Sequence, residues 1–242
     1  RNVMFETVRT VLCLAKYYFK SRPMLRKAWK KSEQERWQDL YEFQIPLSRD
    51  LMAATGSRIV YHGLENIPEK EPWELGYLMV GNHQSYLDIP TLMCIFDRPT
   101  GFVAKSELGK TIFVKDIIGA NGSLLMVQQD IRQSVKVIRQ TSEHLKKGLN
   151  MVIFPEGARS MTTNEMGEFK RGALKAAISV GAEIIPFRFD NLYAVLEGNG
   201  KLKVTPRQVD VYFGVPIPTA GLSKEEQWAL ADKVKETIIN LK

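Results

Sequence analysis

The spacing of apolar residues changes character twice along this chain. Over residues 1–31 it is helical. On a helical wheel Met4, Val8, Val11, Leu12, Leu14, Ala15, Tyr18 and Phe19 gather on one side, with Glu6, Arg9, Lys16 and Lys20 on the other. That is a strongly amphipathic helix. Charges at 6, 9 and 16 break it well short of the roughly 18 uncharged residues of a membrane span. They run throughout, with no small-residue cleavage site after them, which argues against a cleaved signal peptide. Ser32-Glu33-Gln34-Glu35 has the form of a capping box opening a second helix. Trp37, Leu40, Tyr41 and Ile45 give that helix its apolar stripe, and Pro46 is expected to limit or kink it. The two helices are expected to lie antiparallel.

From about residue 57 short apolar runs alternate with helical patterns. The runs Arg58–His62, Tyr77–Val80, Phe102–Ala104, Leu124–Val127, Met151–Phe154, Ile184–Phe189 and Gln208–Phe213 read as strands. Helices are expected at about 88–96, 131–147, 172–180 and 223–241, the last opened by the capping box Ser223–Glu226. Strands alternating with helices predict an α/β fold with a mostly parallel central sheet flanked by helices. Residues 1–56 form an appended two-helix element and residues 57–242 the α/β domain.

Charge sharpens the reading of the N-terminus. The 242 residues carry a net charge of +7, so a polyanionic partner is expected. Lys20-Ser-Arg-Pro-Met-Leu-Arg-Lys-Ala-Trp-Lys-Lys31 holds six basic residues in twelve and one tryptophan. A basic, Trp-bearing run beside an apolar helical face is the pattern of a helix lying in a membrane interface. Each such charge near an anionic surface contributes on the order of 1 kcal/mol. The alternative is that the apolar face docks on the protein's own core. Nucleic acid fits poorly, because the basic density adjoins an apolar helix and not exposed aromatics. Cys13 and Cys94 lie in apolar surroundings without metal-ligand spacing, consistent with a reducing compartment.

Candidate chemistry lies where strands stop. After Tyr77-Leu-Met-Val80 come Gly81, Asn82, His83, Gln84, Ser85, Tyr86, Leu87 and Asp88. Beyond the carboxyl end of a strand in an open α/β sheet, a His is well placed to act. On one continuous helix His83 and Asp88 would diverge by roughly 140°. They meet only if the His lies in the turn and the Asp at the helix start, a geometry that Pro90 in the first turn supports. An Asp-held imidazole is the base half of a catalytic triad. No Gly-x-Ser-x-Gly elbow supplies a nucleophile, so such a base would activate a hydroxyl of the substrate. The plainer alternative makes Asp88 an N-cap and His83 a structural strand-end residue. Phe154-Pro155-Glu156-Gly157-Ala158-Arg159-Ser160 repeats the arrangement after a second buried strand. Arg159 offers a rigid fork of donors for phosphate, and Gly157 permits close backbone approach. Glu156 is placed to orient Arg159 or to bond a substrate hydroxyl. Lys105 follows a third strand. His62 reads as structural, His144 as a cation favouring a helix C-terminus, and Ser123 and Ser160 lack a base at motif spacing.

These blocks carry a resemblance. Asn82-His83-Gln-Ser-Tyr-Leu-Asp88 resembles the His-x4-Asp block of glycerolipid acyltransferases, and Phe154–Ser160 resembles their Phe-Pro-Glu-Gly-Thr-Arg-Ser block. Phe102-Val-Ala-Lys105-Ser-Glu-Leu108 and Ile184-Ile-Pro186 resemble the second and fourth blocks, in the same order. The Asn-His-Gln-Ser form is most similar to the 1-acyl-sn-glycerol-3-phosphate (lysophosphatidate) acyltransferases. Ala158 departs from the usual Thr, and the proline that usually follows the second block is missing near Phe113. The resemblance implies acyl transfer from acyl-CoA or acyl-carrier protein to the 2-hydroxyl of lysophosphatidate, giving phosphatidate. It implies His83 and Asp88 as catalytic groups, with Lys105, Glu156, Gly157 and Arg159 toward the substrate. No metal or organic cofactor is expected, because a thioester is already activated. The expected setting is the cytoplasmic face of a membrane, held peripherally through residues 1–31. Another lysophospholipid or glycerol-3-phosphate as acceptor, and a noncatalytic lipid-binding protein, are the alternatives.

Overall fold

A computed structural model describes residues 3–110, 112–127, 130–160, 166–200 and 203–242. Among these residues seven strands form one sheet: β1 (Arg58–His62), β2 (Leu78–Gly81), β3 (Thr100–Lys105), β4 (Leu124–Met126), β5 (Asn150–Ile153), β6 (Ile184–Asp190) and β7 (Gln208–Phe213). Their spatial order is β1-β7-β6-β2-β5-β3-β4. Every pairing is parallel except β6 with β7. Strands β2 and β5 are buried at every position, which is why the sequence shows them as unbroken apolar runs and not as alternation.

Alternate side chains feed two cores. Leu78, Val80, Met151, Ile153 and Ile184 face α5 (Ile131–Lys146), α6 (Lys175–Val180) and α7 (Lys224–Asn240), with Leu145, Ala176 and Val234 among the packed residues. Met79, Val152, Ile185, Phe187 and Phe189 face the other way, against Leu51 and Met52 of α2 (Glu33–Ala54) and Leu92 and Met93 of α3 (Asp88–Met93). Because β6, β2, β5 and β3 are neighbours, the turns that follow β2, β5 and β3 emerge side by side, strands being about 4.8 Å apart.

The helix α1 (Val3–Ala28) does lie antiparallel to α2, with Tyr17 Oη donating to Asp50 at 2.8 Å and Lys16 Nζ at the same carboxylate at 2.8 Å. One expectation needs correction. Pro46 does not limit its helix, and Pro23 likewise lies within α1: Ser21 and Leu25 flank Pro23, Gln44 and Leu47 flank Pro46, and all four are buried. Packing on both sides of each proline holds the helix across the missing N–H. The side of α1 that packs lies between the apolar stripe and the charged residues Arg9, Lys16 and Lys20, which stay exposed. Glu6, Thr10, Tyr17, Ser21, Leu25 and Ala28 point inward, with Glu6 bonded to Arg9 at 3.0 Å. The stripe of Met4 (71% exposed), Val8, Val11, Leu12 and Phe19 (73% exposed) faces out, so it does not dock on the protein's own core.

The helix expected at 172–180 opens as a 3-10 turn, Arg171–Leu174, before α6. That expected at 88–96 ends at Met93. An unpredicted helix, α4 (Ile112–Ala120), follows the 3-10 segment Ser106–Lys110. Its sequence, Ile-Phe-Val-Lys-Asp-Ile-Ile-Gly-Ala, is apolar at seven of nine positions counting Gly and Ala, too short and continuous a run to be told from a strand by its pattern. Among the described residues no helix is long and apolar enough to cross a membrane.

Candidate active site

The turn after β2 is held from three directions. Gly81 lies against Phe187, whose ring carbon would sit 2.2 Å from any Cβ there, so no larger residue fits. Asn82 continues the ladder with its side chain: Nδ2 donates to the Phe189 carbonyl at 3.0 Å, and Oδ1 accepts from the Phe189 N–H at 2.8 Å. Gln84 Oε1 accepts from the Leu192 N–H at 3.0 Å. With the backbone fixed, His83 turns its Nδ1 onto Asp88 Oδ2 at 2.6 Å. The same carboxylate accepts from the backbone N–H groups of Gln84 and Ser85, each at 2.9 Å. Asp88 therefore reaches backwards to organise the turn. It is not an N-cap, a position that Leu87 occupies.

Asp88 is fully buried, whereas the His83 side chain is 22% exposed and lines a cavity. Burial pushes the Asp88 carboxyl up from its ordinary 3.8 to about 6, against the His83 bond and the two backbone N–H groups that favour its ionised form. An ionised Asp88 accepts from Nδ1–H, which leaves Nε2 as the basic nitrogen of a neutral imidazole. The ring is clamped by Phe154, stacked at 4.3 Å and 17°.

The turn after β5 grips the His83 peptide on both sides. Glu156 Oε1 accepts from the His83 N–H at 2.9 Å, and the Ser160 N–H donates to the His83 carbonyl at 2.8 Å. Gly157 sits at φ +72°, a left-handed conformation that glycine adopts without strain. Glu156 does not orient Arg159, contrary to one sequence expectation: its second oxygen accepts from the Gly167 N–H at 2.7 Å. Arg159 is held by a residue that the sequence did not flag. Its Nη1 donates to Glu197 Oε1 at 3.0 Å, and its guanidinium lies 3.7 Å over the Tyr86 ring.

His83, Lys105, Gly157 and Arg159 all line one cavity of about 830 Å3, while Asp88 and Glu156 stand behind its wall. Ile89, Val103, Met126, Val135 and Ile138 give it a largely apolar lining. The cavity thus brings an imidazole, an apolar surface and two cations together in one place.

The remaining candidates lie elsewhere. His62 bonds Asp210 at 2.9 Å and stacks on Tyr212 at 4.5 Å, at the far edge of the sheet. Ser123 Oγ accepts from the Phe102 N–H at 2.9 Å, a structural role. His144 is not the helix-end cation expected. It is buried edge-on to Trp37, and burial lowers its pKa so that it stays neutral.

Comparison with known proteins follows the same residues. The chain is 35% identical over 152 residues to the chloroplast 1-acyl-sn-glycerol-3-phosphate acyltransferase of Arabidopsis thaliana, a match covering 61% of this chain and 38% of the relative. It is 26% identical to the human 1-acyl-sn-glycerol-3-phosphate acyltransferase alpha over 196 residues, 77% of this chain and 64% of that one. The chain thus spans less than two thirds of either curated relative. The crystal structure of the 1-acyl-sn-glycerophosphate acyltransferase of Thermotoga maritima superposes with a TM-score of 0.79 at 26% identity, covering 98% of this chain and 92% of that one. The profile of the Acyltransferase family matches residues 58–190, from the first strand of the sheet to the end of β6 and through all four blocks. By that match this chain belongs to the Acyltransferase family.

Proposed function

We propose that this protein transfers a fatty acyl group from a thioester to the 2-hydroxyl of 1-acyl-sn-glycerol-3-phosphate, forming phosphatidate. The observation that carries the reading is the imidazole of His83, fixed through Nδ1 at 2.6 Å from a fully buried carboxylate while its ring lines the cavity that also holds Arg159 and Lys105. Nε2 takes the proton of the acceptor hydroxyl as its oxygen attacks the thioester carbonyl. Asp88 holds the tautomer and stabilises the imidazolium. The tetrahedral intermediate expels the thiolate, which takes that proton back from Nε2. Arg159 and Lys105 bind the acceptor phosphate, and the apolar lining of Val103, Met126 and Ile138 carries acyl chain. Phosphate is the acceptor chemistry for which a guanidinium fork beside a lysine is suited. The names of the relatives point to the same acceptor. The donor is acyl-CoA or acyl-carrier protein.

The test is release of free thiol by purified protein supplied with a long-chain acyl thioester, with and without lysophosphatidate. Acceptor-dependent thiol release with phosphatidate as product supports the reading, and a thioester turnover indifferent to acceptor sinks it.

The outward stripe of α1 is, in the same reading, the part that lies on an anionic membrane and delivers the cavity to its lipid. Arg9, Lys16 and Lys20 edge the stripe as an interface helix requires. Deleting α1 would also remove Leu25 and Ala28 from a core shared with Leu40 and Ile117. A cleaner experiment replaces Met4, Leu12 and Phe19 by Gln. Sedimentation with phosphatidylglycerol vesicles should fall about tenfold or more, since each large apolar side chain contributes on the order of 1.5–3 kcal/mol when buried. Undiminished sedimentation places the membrane contact elsewhere.

A further inference from the structure

Glu197 belongs to none of the sequence blocks. It sits 38 residues beyond Arg159 in a short 3-10 turn, Glu197–Asn199. Its side chain is 15% exposed. Oε1 accepts from Arg159 Nη1 at 3.0 Å and from the Tyr86 N–H at 2.8 Å, and Oε2 accepts from Ser85 Oγ at 2.6 Å. One carboxylate therefore ties the turn that carries His83 to the arginine of the neighbouring turn.

Glu197 carries a negative charge beside a site read as binding phosphate, which by itself weakens anion binding. A carboxylate that merely occupied Arg159 until an anion arrived would need no other partner. This one is held by two further donors from a different element, Ser85 Oγ and the Tyr86 N–H, which do not depend on Arg159. Two constraints then act on the guanidinium: the Tyr86 ring at 3.7 Å fixes its plane, and Glu197 fixes its rotation within that plane. With Nη1 committed, Nε and Nη2 form the remaining edge. That edge is a parallel pair of donors matched to two oxygens of one phosphate.

We propose that Glu197 is a positioning residue for acceptor recognition, holding Arg159 so that its Nε–Nη2 edge meets the phosphate of lysophosphatidate as a pair. The inference rests on Arg159 being the phosphate group of the proposed function. The geometry makes a specific demand: loss of Glu197 weakens the acceptor and spares the thioester donor, and it does so only while Arg159 is present.

The experiment measures KM for lysophosphatidate and for the acyl thioester in wild type, Glu197→Ala, Arg159→Ala and the double variant. Glu197→Ala should raise the acceptor KM about tenfold, the scale of losing one well-placed charge-assisted partner, with donor KM within about twofold. In the Arg159→Ala background it should add about twofold or less, since residues acting through one contact are not additive. Glu197→Gln keeps the shape and an accepting oxygen, so it should raise the acceptor KM only about threefold; it serves alone if the alanine variant does not fold. An unchanged acceptor KM in both variants overturns the proposal. So does an equal rise for donor and acceptor, or an undiminished effect without Arg159. Failure of the underlying reading looks different: Arg159→Ala itself would leave the lysophosphatidate KM unchanged.

Discussion

Among the described residues two histidine–aspartate pairs stand at the ends of strands, and only one of them opens on a cavity. His62 meets Asp210 through Nε2 at 2.9 Å, with side chains 42% and 17% exposed, and its ring lies on Tyr212. His83 meets Asp88 through Nδ1 at 2.6 Å, with the carboxylate wholly buried. The two carboxylates move in opposite directions. The His62 bond holds Asp210 below the ordinary carboxylate range, while burial raises Asp88 to about 6. An exposed pair of this kind is worth about 0–1 kcal/mol and is screened by salt. The buried pair costs stability where its carboxylate is ionised, and in the proposed function it supplies a poised base. Its folded-state value lies above the ordinary 3.8, so the folded state binds that proton more tightly than the unfolded chain. The stability it contributes is thus fullest at low pH and declines as pH rises from 3.8 toward about 6. Activity runs the other way, because a protonated Asp88 cannot stabilise an imidazolium. Proximity of His to Asp is therefore not the signature of function. The free nitrogen must face a cavity, and the carboxylate must have nowhere else to go.

Breaking the two pairs should separate them sharply. His83→Ala should lower kcat/KM for acyl transfer by roughly a thousandfold, within the span of a lost general base. Asp88→Asn should cost roughly a hundredfold or more, because the imidazole loses its tautomer and its counter-charge. Arg159→Ala should lower kcat/KM for lysophosphatidate by roughly 30-fold, about 2 kcal/mol, and leave a phosphate-free monoacylglycerol acceptor equally poor in variant and wild type. A drop on both acceptors would make Arg159 a structural residue. Wild-type turnover should fall as pH drops through about 6, the value set by the Asp88 end of the pair; a rate flat down to pH 5 would contradict that. His62→Ala, at the other extreme, should change the rate by less than about twofold and stability by about 1 kcal/mol or less.

How much of this could be read from the sequence depends on how local each feature is. The His83–Asp88 turn was legible because a buried apolar run stops abruptly and the i to i+5 spacing admits one geometry. The strands were legible for the same reason, and their alternation with helices predicted the sheet. Glu156 was misjudged because it stands three residues from Arg159, whereas the fold sends it to the His83 N–H. Glu197 was invisible, lying 112 residues from its partner Ser85 in a stretch without a motif. The wheel of α1 found the apolar stripe but not which side packs, because the packed side includes the polar residues Glu6, Thr10 and Ser21. Helix α4 was missed because its nine residues are a short, mostly apolar run, which cannot be told from a strand by period.

The central claim, that Nε2 of His83 takes the acceptor proton, is tested most directly by thiol release from His83→Ala protein as free imidazole is titrated in. The account predicts a rate near background without imidazole that rises with the concentration of its neutral form, with bound lysophosphatidate unchanged in affinity. Near wild-type thiol release by the variant with no imidazole present would contradict it.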